Sequence, residues 1–122
     1  QLLFDDSEEG SLPGFGLISG HVKSLSSLST DLIVPNMGWR FVNINGVSSP
    51  LANSIKEESK FYFVHSYYCE PADITHSIIG INYGQHICVG VQKNNVYGVQ
   101  FHPEKSHKFG IYFFKQFLNS IL

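Results

Sequence analysis

Residues 75–103 hold three β-rich apolar runs parted by tight turn signals, and this constrains the fold more than any other stretch. The runs are Thr75 to Tyr83, His86 to Gln92 and Val96 to Phe101, with Gly84 and Asn94-Asn95 between them. Short connections rich in such residues join neighbouring antiparallel strands, so the stretch reads as a β-meander. Pro103 ends it, because proline brings no N–H to a sheet ladder. Upstream, Phe61 to Tyr68 is aromatic and β-branched and reads as a further strand, closed by Pro71. Phe15 to Leu25 alternates loosely around Gly16 and Gly20 and reads as a strand with bulges or close approaches. Leu32 to Ile44 reads as a β region interrupted by a rigid loop at Pro35 to Trp39, with Asn45-Gly46 as a turn after it. Pro50 to Lys60 is polar and reads as one helical turn and a loop. A helix is predicted from about Lys108, and its apolar spacing predicts burial of Phe114, Phe117, Leu118 and Ile121 against a sheet. Gln1 to Phe4 reads as the end of a helix whose beginning is missing, so the chain is expected to be a piece of something longer.

At 122 residues the chain is about one small domain, with no internal repeat and no linker. Ten phenylalanines and six tyrosines predict an aromatic core. The net charge is −2 and the lysines and arginines are scattered. Without a basic face, nucleic acid is not expected as the main partner. No apolar run approaches the ~18 residues of a membrane span, and no stretch of these 122 residues reads as a signal peptide. Cys69 and Cys88 have neither metal-binding nor disulfide-framework spacing. Reduced thiols in a cytoplasmic protein is the simplest reading, with no metal and no cofactor.

The chemistry concentrates where the meander ends, at His102-Pro103-Glu104. Histidine changes charge near neutral pH, and a carboxylate two residues on can fix its tautomer and stabilise its cation. That is the base and orienter half of a nucleophile–base–orienter triad. Taken alone, the tripeptide reads more readily as a strand end with two solvated polar residues, and only the rest of the chain favours the pair. His65 is a second histidine at a strand end, where a hydrogen-bonded structural role is the commoner one. Trp39, the single tryptophan, suits either an exposed interface anchor or a core plug. Neither cysteine has the electropositive setting of a reactive thiol: Cys88 lies in an apolar strand and Cys69 precedes Glu70. The chain thus holds a base and an orienter and no nucleophile.

Taken in order, Gln1-Leu2-Leu3-Phe4, Ser7 to Gly10, Gly16-Leu17-Ile18, Pro35 to Trp39, Tyr62 to Tyr67 and Gly98 to Ser106 resemble a class I, triad-type glutamine amidotransferase. Within that family the chain is most similar to the glutaminase subunit of imidazole glycerol phosphate synthase. The resemblance implies an α/β fold with a flavodoxin-like sheet, of which residues 1–122 would be the β-rich C-terminal part of one amidotransferase domain with its closing helix. It implies His102 as general base and acid and Glu104 as orienter. It places Gln1 beside the substrate L-glutamine, and the backbone of His65, Ser66 and Tyr67 around that substrate's α-amino acid end. It puts Met37, Gly38, Trp39 and Lys105 near the face that docks on a (β/α)8-barrel synthase subunit. The nucleophilic cysteine would stand four residues before Gln1, so the 122 residues alone are expected to be inactive. Two positions depart from the family's habit: Asn36 where histidine is usual, and Arg40 where asparagine is usual. Ser106-His107-Lys108 is also similar to paralogues that supply ammonia for amidination of surface-polysaccharide sugars. A reading of another class is an amidotransferase-like module that lost its nucleophile and only binds a partner.

Overall fold

The computed structural model describes all 122 residues, Gln1–Leu122. Its elements in chain order are β1 (Asp6–Ser7), β2 (Gly20–Ser24), β3 (Asn36–Phe41), β4 (Asn43–Ile44), α1 (Pro50–Asn53), β5 (Lys60–His65), β6 (Tyr67–Pro71), β7 (Ser77–Tyr83), β8 (Gln85–Lys93), β9 (Val96–Val99) and α2 (His107–Ile121). A single 3-10 turn, Pro103–Lys105, separates β9 from α2.

The meander forms as the turn residues predict. Tyr83 pairs with Gln85 across Gly84, whose φ of +74° lies in the left-handed region that glycine enters without a Cβ penalty. Asn94 turns the chain back at φ +53° between β8 and β9. The main sheet runs β1-β2-β6-β8-β7-β4, with β9 also on β8. Because β7 lies along one edge of β8, β6 and β9 share the other: Cys88 pairs with Cys69, and Gly90 to Lys93 pair with Val99 to Val96. A second sheet holds only β3 and β5, antiparallel, with Asn36 opposite His65 and Trp39 opposite Tyr62.

The structure departs from the sequence reading at five places. Residues 11–19 are loop, and only Gly20–Ser24 is strand. The loop alternates because it is laced to residues 2–5 by main-chain bonds, such as Gly14 N–H to the Asp5 carbonyl at 2.8 Å and Ile18 N–H to the Leu3 carbonyl at 3.0 Å. The expected loop at Pro35 to Trp39 is mostly β3, since only Pro35 stands outside the ladder. Phe61 to Tyr68 is two strands in different sheets, divided at Ser66. Gln1 to Phe4 forms a turn closed by Phe4 N–H on the Gln1 carbonyl, with no helix. Finally, α2 buries a face one position away from the predicted one. Gly110 and Phe113 are buried and Phe117 half-buried, while Phe114, Leu118 and Ile121 are 45%, 49% and 45% exposed.

The core gathers under the end of the meander. Phe61 lies 4.2 Å from Phe101 between ring centroids, and Phe113 of α2 meets both edge-on at 6.0 and 5.7 Å. Edge-to-face geometry at such spacing suits the aromatic quadrupoles. Helix α2 comes close enough that a Cβ on Gly110 would overlap the Pro103 carbonyl. The helix and the 3-10 turn therefore pack as one body. Phe113→Ala is expected to lower unfolding stability by about 3–5 kcal/mol, the usual cost of a phenylalanine-sized cavity. A urea midpoint unchanged from wild type would show that α2 is not held by this contact.

Candidate active site

His102 sits just beyond β9, and the main chain places it. Its N–H donates to the Tyr62 carbonyl on β5 at 3.0 Å. The buried Ser106 hydroxyl donates to the His102 carbonyl at 2.6 Å and accepts from Tyr62 N–H at 3.1 Å. The preceding Phe101 is buried in the aromatic cluster. His102 is thus clamped on both sides while its ring stays partly open.

Glu104 lies in the 3-10 turn that Pro103 starts, which bends its carboxylate back over the ring. His102 Nδ1 donates to Glu104 Oε1 at 2.7 Å. This leaves Nε2 with no hydrogen-bond partner in the chain, free to exchange a proton with a reacting group. Glu104's own backbone N–H, then the His102 ring, hold its carboxyl below the usual carboxylate range. It is therefore ionised wherever the imidazole could need a counter-charge.

Gln1 reaches the same region from the other end of the chain. Its side-chain amide donates to the Tyr67 carbonyl at 3.3 Å and to Gln100 Oε1 at 3.2 Å. Gln100 is two residues before His102, at most about 7 Å of extended chain. Gln1, Pro35, His65, Ser66, Tyr67 and Gln100 line an open groove.

His65 contributes to that groove from behind. Its ring is buried, its Nδ1 donates to the Tyr67 carbonyl at 2.8 Å, and its Nε2 accepts from Asn36 at 3.0 Å. Burial holds it below the ordinary histidine value, against the Tyr67 carbonyl, which favours the protonated form. It is a structural histidine in the sense the sequence favoured, and it braces the groove wall.

Met37 and Trp39 occupy the opposite face of β3, 57% and 43% exposed. With Phe41 and Val64 they make an apolar patch on the outer side of the small sheet. Trp39 stacks on His107 at 5.4 Å between centroids and meets Tyr62 edge-on. Gly38 lies between them at φ +121°, and Lys105 is exposed two residues before His107. Of the docking residues implied by the resemblance, Trp39 and Lys105 thus flank the segment that carries Glu104. Asn36, Arg40, Gln100 and Ser106 also belong to the site. No local sequence signal marks their contacts, which depend on strand pairing.

Cys69 and Cys88 face each other across β6 and β8 and are buried. Burial pushes the Cys69 thiol up to about 11 and raises Cys88 as well. At pH 8 only about one Cys69 in a thousand is thiolate, against roughly a quarter of ordinary thiols. Alkylation of Cys69 by iodoacetamide is therefore expected to run about 100-fold slower in the native protein than in urea. Native labelling at the free-thiol rate, read by mass spectrometry, would contradict this. No group of three or more His, Cys, Asp or Glu side chains converges anywhere in the chain. No helix is long and apolar enough to cross a membrane.

The family description "Glutamine amidotransferase class-I" matches residues 28–120. The chain belongs to the class I glutamine amidotransferases. It is 44% identical over 121 residues to imidazole glycerol phosphate synthase subunit HisH 2 of Pseudomonas aeruginosa, covering 99% of this chain and 59% of that protein. It is 42% identical over 119 residues to the HisH subunit of Acinetobacter baylyi, covering 97% of this chain and 58% of that protein. The chain thus spans under two thirds of these relatives. Its fold is similar to a chain in the structure of PurLQS from Thermotoga maritima, with a TM-score of 0.67 at 20% identity, covering 88% of this chain and 55% of that one. The likeness shows the shared amidotransferase fold, an α/β sheet with its closing helix.

Proposed function

We propose that these residues are the histidine–glutamate half of a glutaminase site. In this reading the whole protein hydrolyses L-glutamine to glutamate and ammonia in the cytoplasm. The observation that carries it is the His102–Glu104 pair at 2.7 Å, with Gln1 anchored two residues away on Gln100. Neither buried cysteine can serve as nucleophile, so the reading takes the thiol from sequence adjoining Gln1, as the resemblance implies. His102 Nε2 takes the thiol proton as sulfur attacks the amide carbon. It gives that proton to the departing ammonia, leaving a thioester. It then takes a proton from the water that cleaves the thioester, releasing glutamate and restoring the thiol. Glu104 holds the ring's other nitrogen throughout.

Ammonia in this reading passes to a (β/α)8-barrel synthase that makes imidazole glycerol phosphate in histidine biosynthesis. The names of the HisH relatives and the exposed Met37–Trp39–Phe41 face both support that partner. A second acceptor, a surface-polysaccharide sugar awaiting amidination, rests on the likeness of Ser106-His107-Lys108 to paralogues of that kind. The test is glutamate release by the natural protein that carries these residues, assayed with a barrel synthase and its nucleotide substrate. Formation of imidazole glycerol phosphate supports the first acceptor. Glutamate release without it points to the second. Partner binding with no glutamate release sinks the glutaminase reading and leaves a binding module.

A further inference from the structure

A string of hydrogen bonds runs from Arg40 to Gln1. Arg40 Nε donates to Asn36 Oδ1 at 3.0 Å, Asn36 Nδ2 donates to His65 Nε2 at 3.0 Å, and His65 Nδ1 donates to the Tyr67 carbonyl at 2.8 Å. The same carbonyl accepts from the Gln1 side chain. Strand pairing sets the middle link, because Asn36 on β3 stands directly opposite His65 on β5. Asn36 is fully buried and His65 is 6% exposed. Arg40 is itself held, its guanidinium carbon 5.0 Å from the centre of the Tyr83 ring. None of the chain's ion pairs includes it.

Every link has one possible direction once the first is set. A guanidinium can only donate, so Asn36 must present its oxygen to Arg40. Asn36 then presents its amide hydrogens to His65 Nε2, which must be unprotonated to accept them. The single ring proton is left on Nδ1, where the Tyr67 carbonyl receives it. Without Arg40 the Asn36 amide could turn over, and its oxygen would then accept from Nε2–H, the ring proton having left Nδ1 and its bond to the Tyr67 carbonyl.

We infer that Arg40, acting through Asn36, is a positioning residue that locks His65 as the neutral Nδ1–H tautomer and so aims the Tyr67 carbonyl at Gln1. Its kinetic consequence rests on the glutaminase reading, under which Gln1 and residues 65–67 hold glutamine. Its tautomeric consequence does not.

The test joins ¹⁵N NMR of the His65 ring to glutamine kinetics in the natural protein that carries these residues. In wild type, Nε2 should resonate as an unprotonated ring nitrogen at neutral pH. In Arg40→Met, Nε2 should gain a proton, and KM for glutamine should rise about fivefold, the effect of one misaligned hydrogen bond, with kcat within about twofold. Arg40→Lys should restore both, because an ammonium also only donates. An Arg40→Met protein with unprotonated Nε2, or with a moved proton and an unmoved KM, would overturn the inference. So would Arg40→Lys behaving like Arg40→Met. If Arg40→Met does not fold, Asn36→Asp decides: a carboxylate between Arg40 and His65 should draw a proton onto Nε2, and its failure to do so overturns the lock. A wild type that shows the tautomer and its shift in Arg40→Met but releases no glutamate would sink the glutaminase reading and leave the lock standing.

Discussion

His102→Ala is expected to lower glutamine hydrolysis by the natural protein by about 10⁴- to 10⁶-fold, the range seen when a member of a catalytic triad is removed. The size of the effect follows from how many proton transfers pass through one nitrogen. In the glutaminase reading Nε2 activates the thiol, protonates ammonia and activates water, so all three transfers are lost together. His65 cannot substitute, because it is buried and both its nitrogens are engaged. The fold should survive, since His102 is held through its backbone to Tyr62 and Ser106, and alanine keeps both main-chain groups. Glutamate release by a coupled dehydrogenase assay reads the rate, and an unchanged urea midpoint verifies the fold. A loss of less than tenfold would mean that His102 is not the base.

Glu104→Gln is expected to cost about 10²- to 10⁴-fold in kcat. The glutamine amide can turn its NH₂ toward Nδ1, which then has to accept and puts the ring proton on Nε2, the wrong nitrogen for a base. The variant also removes the negative charge that stabilises the imidazolium. Glu104 is exposed, so its replacement should leave stability near wild type, and the loss should appear in kcat more than in KM. Its depressed ionisation adds a pH signature. The carboxylate stays charged as pH falls through the ordinary glutamic acid range, and its interaction with His102 is lost only below that range. An acid-side fall in wild-type activity above pH 5 should therefore not follow Glu104, and a Glu104→Gln enzyme at wild-type rate would remove it from the triad.

Local signals in the sequence carried the parts of the fold that local physics decides. Gly84 and Asn94 named the turns of the meander because their positions need φ > 0. Pro103 marked the 3-10 turn that follows the meander, although β9 itself stops at Val99. The His102–Glu104 pair was legible because its members are two residues apart and the turn between them is the proline's. The buried face of α2 was not: Phe113 and Phe114 are adjacent, so the apolar pattern fits two faces, and only the contact of Gly110 with Pro103 selects one. Residues 15–19 read as strand because glycines and apolar residues alternate there, whereas their main-chain partners lie on residues 2–4. Asn36 and His65 are 29 residues apart and meet only through the β3–β5 register, which no local pattern encodes.

The clamp on His102 bears on how such a site can drift over generations. Two of its three points are main-chain atoms of Tyr62, and the peptide group is the same whatever side chain rides on it. Substitutions at position 62 can accumulate, and retune what the outer face of the small sheet recognises, without moving the histidine. Only Ser106 enters the clamp through its side chain, and threonine alone offers the same hydroxyl one bond from Cβ. The outer face of the small sheet and the setting of His102 can therefore evolve at different rates although both rest on β5.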